Sequence, residues 1–224
     1  MAKVNDVDAF YNAHYKEIMG TGLISKVWAI IHHQMERPYA GKYFSKILEI
    51  GAGNGEHIPF VACDYESYFA TDIRIDNLAN VSKDDSRIRV EVQDAQKLSF
   101  PDNSFDRVII TCLLAHLDKP EEAISEVRRV LKSNGGHVTI YLPCEPGIFL
   151  RFVRSLSTHL KAKRRGVSDI SRLHFLEHRN YYLALDNLIK NEFKLYKIKK
   201  RYYPFPFLSW NSNLYRIYQI STMS

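Results

Sequence analysis

The sequence predicts an α/β fold built on a doubly wound sheet. Two observations predict it: short apolar strand patterns alternate with helical patterns over short connections, and one of the strands, Phe105 to Thr111, carries the apolar run Val108-Ile109-Ile110 of the kind buried on both faces of a parallel sheet. Residues 1–45 read as a helical cap, because Val7, Phe10, Tyr11 and His14, Tyr15, Ile18 recur at spacings of three and four, as do Ile24, Val27, Trp28 and Ile31. Pro38 and Gly41 break that pattern. Ile47 to Ile50 is then a short strand running into a glycine-rich turn, and a helix is expected after the turn through Ile58, Val61 and Cys63. Tyr68 to Asp72 reads as the second strand and Ile88 to Gln93 as the third.

Pro101 to Ser104 is a turn cluster feeding the apolar fourth strand. Pro120 to Leu131 is an amphipathic helix with proline at its start, Glu121 and Glu122 in its first turn, and Ala123, Val127, Val130 and Leu131 along its inner stripe. Asn134-Gly135-Gly136 ends it, and His137 to Leu142 forms the fifth strand. The pattern lapses at Pro143. Residues 144–180 are read as a basic lid inserted after strand 5, with 46–143 as the ligand-binding core. Over 181–224, a helix from Tyr181 to Phe193 precedes two strands, Phe193 to Tyr203 and Asn213 to Ser221, whose short connection makes them an antiparallel hairpin.

Composition narrows the class. The 224 residues are 46% hydrophobic, enough for one substantial core. Cys63, Cys112 and Cys144 cannot all pair and lack metal-ligand spacing, so neither a disulfide framework nor a zinc ribbon is expected. The longest charge-free apolar stretch, Val108 to Ala115, falls far short of the ~20 residues of a membrane span. Residues 1–10 show no basic-then-apolar signal pattern, and a cytoplasmic location is the expectation. Charge is unevenly spread: residues 1–150 carry a net −5 and residues 151–224 a net +11. The basic third raises the local concentration of anions such as phosphates, nucleic acid or acidic lipid headgroups.

The turn Gly51-Ala52-Gly53-Asn54-Gly55 lies between Glu49 and Glu56. Asp72 ends the second strand and Asp94, followed by Ala95, ends the third, which places acids along the carboxyl edge where open α/β sheets bind ligands. Asp72 is positioned for the hydroxyls of a ribose, and Asp94 with the Ala95 amide for the edge of an adenine. A dinucleotide fold wants G-x-G-x-x-G facing a pyrophosphate. Two carboxylates beside a G-x-G-x-G turn repel a pyrophosphate and suit a ligand with an ammonium and a sulfonium, which points to S-adenosyl-L-methionine. No Gly-Lys-Ser/Thr follows, so a phosphate-binding P-loop is excluded.

At these residues the chain resembles the class I S-adenosylmethionine-dependent methyltransferases, in particular the small-molecule group related to quinone-biosynthesis enzymes. The resemblance rests on ILEIGAGNGEHIPF, ATDI, VQDAQKLSFPDNSFDRVIITCLLAHL and EEAISEVRRVLKSNGGHVTIYLP, in order, over residues 45–143. It implies a Rossmann-like sheet of seven strands with the last antiparallel. It also implies that Gly51, Ala52, Gly53 and Gly55 line the methionine moiety, with Glu49 orienting the turn. Asp72 would take the ribose and Ile73 pack on the adenine. Asp94 and Ala95 would contact its amine and ring nitrogen, and Thr111, Cys112 and Leu113 would run beneath the methionine. Tyr11, His14 and Tyr15 would close over the cofactor from the N-terminal helix, with ordinary core packing as the competing role.

Methyl transfer from a sulfonium needs alignment above all, which contributes ~7–11 kcal/mol, and a general base adds ~10²–10⁴-fold where the acceptor is a hydroxyl. His116, just after the fourth strand, is the expected base, with packing or cofactor contact as the competing role. His174 and His178 are four apart, as metal ligands on a helix can be, but no third ligand is evident and no metal is expected. Helix capping or substrate contact is the better role for them. No Asn-Pro-Pro-Tyr or Asp-Pro-Pro-Tyr follows strand four, which argues against amino-group methylation of adenine or glutamine. The expected acceptor is a small or lipid-linked anionic metabolite, such as a sugar nucleotide or polysaccharide precursor. Arg151, Arg154, Lys161, Lys163, Arg164, Arg165 and Arg172 would hold its phosphate. Phe149, Leu150, Phe152 and Val153 alternate with these bases, a pattern also suited to peripheral contact with a membrane surface. An RNA methyltransferase gripping phosphodiesters with the basic third is the alternative, although no RNP motif accompanies it, and a noncatalytic cofactor-binding partner subunit is a third reading.

Overall fold

Alternation along the strands decides the layers. In β1 (Tyr43–Ile50) Ile47 faces one side of the sheet and Leu48 the other. The same parity separates Ile109 from Val108 and Ile110 in β4 (Arg107–Thr111), and Tyr141 from Ile140 and Leu142 in β5 (His137–Pro143). Both sets are buried, so the sheet is covered on both faces. The computed structural model describes residues 23–81, 84–156 and 178–223. One face packs against α1 (Leu23–Glu36). The other packs against α3 (Pro120–Val130) and α5 (Tyr182–Glu192).

The remaining strands are β2 (Asp64–Asp72), β3 (Ile88–Val92), β6 (Lys197–Tyr203) and β7 (Tyr215–Ser221). The seven-stranded sheet has the order β3-β2-β1-β4-β5-β7-β6, and β7 alone runs opposite to the other six strands. This is the expected Rossmann-like architecture with an antiparallel last strand. The chain order reverses between β1 and β4, so a crevice opens outside their carboxyl ends, the place where such sheets bind ligands. Two short α-helices accompany them: α2 (Ile75–Leu78) after β2, and α4 (Ile148–Arg154) after β5.

One expected element is absent. The helix predicted through Ile58, Val61 and Cys63 is a single 3₁₀ turn, Ile58–Phe60, and β2 begins at Asp64 rather than Tyr68. Pro59 supplies no N–H to extend a helix, and the His57 side chain is drawn into the layer under the sheet, where it meets His32 and Glu36. Of the expected lid, residues 157–177 lie outside the described residues, and 148–154 are helical rather than irregular.

Candidate functional site at the carboxyl edge

The glycine turn leaves β1 with Gly51, Gly53 and Gly55 all at positive φ. At Gly51 (φ +72°) the conformation requires glycine twice over, because a Cβ there would come 2.9 Å from the Leu113 side chain. Leu113 thus locks the end of β4 against the turn across the point where strand order reverses.

From Ala52 to Gly55 each backbone N–H of the turn is engaged. Ala52 N donates to Thr71 O at 2.8 Å and Gly55 N to Ala52 O at 2.9 Å. Gly53 N donates to Asp72 Oδ2 at 3.0 Å, and Asn54 N to Glu56 Oε2 at 3.0 Å. A pyrophosphate site presents such N–H groups to the ligand. Here two successive ones are capped by the chain's own carboxylates, which leaves negative charge and acceptor lone pairs facing the crevice. Asp72 accepts a second hydrogen bond from Arg74 N at 2.8 Å; an ionised carboxylate has about four acceptor positions, so two remain for ligand hydroxyls. The donor set fits a ribose and a cation, and is wrong for a phosphate.

Ile73, next to Asp72, is exposed, as a residue offered to a flat apolar ring would be. Asp94 follows β3 and accepts from Gln96 N at 2.9 Å, while the Ala95 side chain is buried in the core. Thr111 ends β4. Cys112 follows with φ +56°, a left-handed conformation that is costly for a non-glycine residue and is found preferentially at functional sites. Turn, Asp72, Thr111, Cys112 and Leu113 are therefore brought to one edge.

Glu49 takes a different position. It is fully buried, on the α1 side of the sheet, with Oε2 accepting from Tyr68 OH at 2.7 Å and Oε1 left without a partner. Burial pushes its carboxyl up to about 7. It contacts the turn through the sheet backbone, since Thr71 Oγ1 donates to Glu49 O at 2.8 Å.

Beyond β4 lies a second cluster. His116 and His178 stack edge to face with ring centroids 4.6 Å apart. Glu145, just after β5, hydrogen-bonds His178 Nδ1 and pairs with Arg154 Nη1 at 2.8 Å. Burial raises the Glu145 carboxyl, but the hydrogen bond from His178 and the Arg154 charge outweigh it and bring it to about 2, so it is ionised. Arg179 N and Asn180 N both donate to Ala115 O, which fixes the returning chain against the His116 loop. Of the expected acceptor residues, Arg154 and His178 both meet Glu145 and His178 also packs on His116, whereas Arg151 is exposed on α4. Tyr11, His14, Tyr15, Arg172 and His174 lie outside the described residues. Glu145 was not foreseen: nothing in CEPG marks it, and its partner is 33 residues away. Among the described residues no group of three metal-ligating side chains occurs.

Residues 48–139 match the family model of the methyltransferase domain. A demethylmenaquinone methyltransferase of Clavibacter sepedonicus is 28% identical over 141 residues, 61% of this chain and 55% of that one. A phosphatidylethanolamine N-methyltransferase of Cereibacter sphaeroides is 30% identical over 101 residues, 42% of this chain and 49% of that one. The chain thus spans about half the length of these curated relatives. Among solved structures, the Haloferax volcanii complex of the Trm112 methyltransferase activator with a methyltransferase matches with a TM-score of 0.67 at 13% identity, covering 98% of both chains, which establishes a shared fold.

Proposed function

We propose that the protein, whose residues 48–139 match the family model of the methyltransferase domain, transfers a methyl group from S-adenosyl-L-methionine to a small or lipid-linked anionic metabolite by in-line displacement. The observation that carries the cofactor reading is the capping of Gly53 N and Asn54 N by Asp72 and Glu56, which turns the glycine turn from an anion site into an acceptor-rich one. When bound, the cofactor supplies an electrophilic methyl group on a sulfonium. Asp72 accepts the ribose hydroxyls with its two remaining lone pairs. Leu113 and Gly51 hold the β1 and β4 ends together, so that Thr111 and Cys112 form the floor of the crevice.

On the acceptor side, Glu145 holds the His178 ring and His178 packs against His116. His116, half-buried at the crevice, takes the proton when the acceptor is a hydroxyl. The anionic acceptor class, of which a sugar nucleotide or polysaccharide precursor is an example, is supported by the net +11 of residues 151–224. A lipid-linked form is in keeping with one relative being named for phosphatidylethanolamine.

Titration calorimetry with S-adenosyl-L-methionine, then with NAD, tests the cofactor. Only the former is expected to bind, and Asp72→Ala should weaken it by roughly 10–100-fold, the loss expected for charge-assisted hydrogen bonds. A folded sample that fails to bind it overturns the reading. A metabolite extract screened for products heavier by one methyl group then identifies the acceptor.

A further inference from the structure

Helix α4 has apolar residues on both sides. Leu150 is buried and Arg154 turns inward to Glu145, as the inner stripe of a surface helix should. The outer stripe at i, i+4 and i+8 is Ile148, Phe152 and, just past the helix, Leu156, and these are 58–68% exposed. A solvent-facing stripe is ordinarily polar. The sequence pattern alone pointed to Phe149, Leu150, Phe152 and Val153; the structure turns Leu150 in and brings Ile148 and Leu156 out.

The β6–β7 connection adds to the same surface. Ile148 N donates to Asn211 Oδ1 at 2.9 Å, and the rings of Phe149 and Phe205 lie 5.6 Å apart. Asn213, fully buried, braces the loop from within: its Oδ1 accepts from Phe205 N at 2.7 Å, and its Nδ2 donates to the carbonyls of Phe205, Leu208 and Ser209. The loop is thus built to hold its apolar side chains outward. Phe207 is 98% exposed, with Leu208 and Phe205 half-exposed beside it. Contiguous apolar projections of this kind mark a binding surface.

Charge selects the occupant. Neither 146–156 nor 193–224 contains an Asp or Glu. Arg151 is exposed alongside the outer stripe, and exposed Lys197, Lys199 and Arg201 line β6 up to the loop. A second copy would bring the same cations against themselves. Nucleic acid would gain nothing from the aliphatic Ile148, Leu156 and Leu208, since it is held by phosphate contacts and stacking. Large apolar side chains ringed by cations without carboxylates match the interfacial zone of an anionic bilayer. Among the described residues no helix is long and apolar enough to cross a membrane, so the contact is with the surface.

We infer that α4 and the β6–β7 loop form a platform that inserts into the headgroup region of an anionic membrane. Because β6 ends at the level of Pro143, the residue two before Glu145, the platform adjoins the His116–His178–Glu145 cluster and presents the acceptor crevice to the lipid–water boundary. This deepens the proposed function, on which it rests only for the identity of the crevice, by assigning a membrane-embedded acceptor.

Co-sedimentation of the full chain with phosphatidylcholine vesicles, with and without phosphatidylglycerol, tests it, alongside calorimetry with S-adenosyl-L-methionine. Binding is expected to the anionic vesicles only and to weaken with salt. Phe207→Asp, at a side chain that packs on nothing, should lower the partition constant at least about tenfold and leave cofactor affinity unchanged. Phe152→Asp should act in the same direction. The inference is overturned if cofactor-competent protein ignores anionic vesicles, if Phe207→Asp binds them like the parent, or if the patch proves to mediate self-association that Phe207→Asp abolishes. Vesicle binding that persists in protein unable to bind S-adenosyl-L-methionine upholds the platform and sinks the enzyme reading instead.

Discussion

Among the described residues, each face of the sheet buries one arginine–carboxylate pair, and the two are built differently. On the α1 face, Arg107 at the start of β4 is wholly buried and forks onto Glu36, the last residue of α1, with Nη1 to Oε2 at 2.9 Å; it also donates to Cys63 Sγ at 3.2 Å and lies 3.9 Å over the Tyr39 ring. His57 Nε2 is 2.9 Å from the same carboxylate, and His32 Nδ1 is 2.8 Å from His57 Nδ1. On the opposite face, Arg216 of β7 pairs with Asp186 of α5 at 2.9 Å, surrounded by the hydroxyls of Tyr182, Tyr202 and Tyr218. There Lys190 also bonds Asp186 and extends to solvent.

The difference lies in the outlet. Asp186 retains a cation if Arg216 is lost, whereas Glu36 keeps only the His57 imidazole and the Ala62 N–H. Burial pushes the Glu36 carboxyl up, but hydrogen bonds from His57 and Arg107 overrule it and bring the group to about 2; burial drives His32 down to about 3, so His32 is neutral. Because His57 follows the glycine turn directly, the sealed network also ties α1 to the crevice, while the open one ties only α5 to the sheet.

The sharpest way to break the comparison is Arg107→Leu. It strands a buried carboxylate and should cost ~3–5 kcal/mol in denaturant unfolding, with much of the loss recovered when Glu36→Leu is added. Glu49, on the same sealed face, should show in pH dependence. Its folded carboxyl titrates near 7 against an ordinary 4.5, so its contribution is full below 4.5 and is lost as pH rises through about 7. Glu49→Gln should remove that alkaline loss, on the order of 3 kcal/mol, in unfolding curves taken across the range. Glu36 works in the opposite sense: its contribution is present above 4.5 and is lost as pH falls through about 2. Arg216→Leu should cost less, about 2 kcal/mol in the same unfolding assay, because Lys190 remains. Equal losses at Arg107 and Arg216 would erase the distinction between the faces.

Legibility followed locality. The run Val108–Ile110 announces a strand covered on both sides, and Pro120 with Glu121 and Glu122 announces the start of α3. The glycine turn and Asp72 were legible because each belongs to a strand end with its own signature. Arg107 was not, since it opens an apolar run and its meaning depends on Glu36, 71 residues earlier. The missing helix after Gly55 has the same origin: Ile58, Val61 and Cys63 have helical spacing, but His57 is claimed by Glu36 and His32.

Local patterning by itself determined the strand–helix alternation, the bare-backbone turn, the acids at the strand ends and the concentration of positive charge after residue 150. Tertiary structure alone decided that Asp72 caps the turn, that Glu145 holds His178 beside His116, and that Phe207 and Phe152 share one outward surface. Hydrophobic periodicity assigns a face to each element from its neighbours in sequence, whereas a hydrogen-bond or ion-pair partner is chosen by which elements the sheet order places side by side.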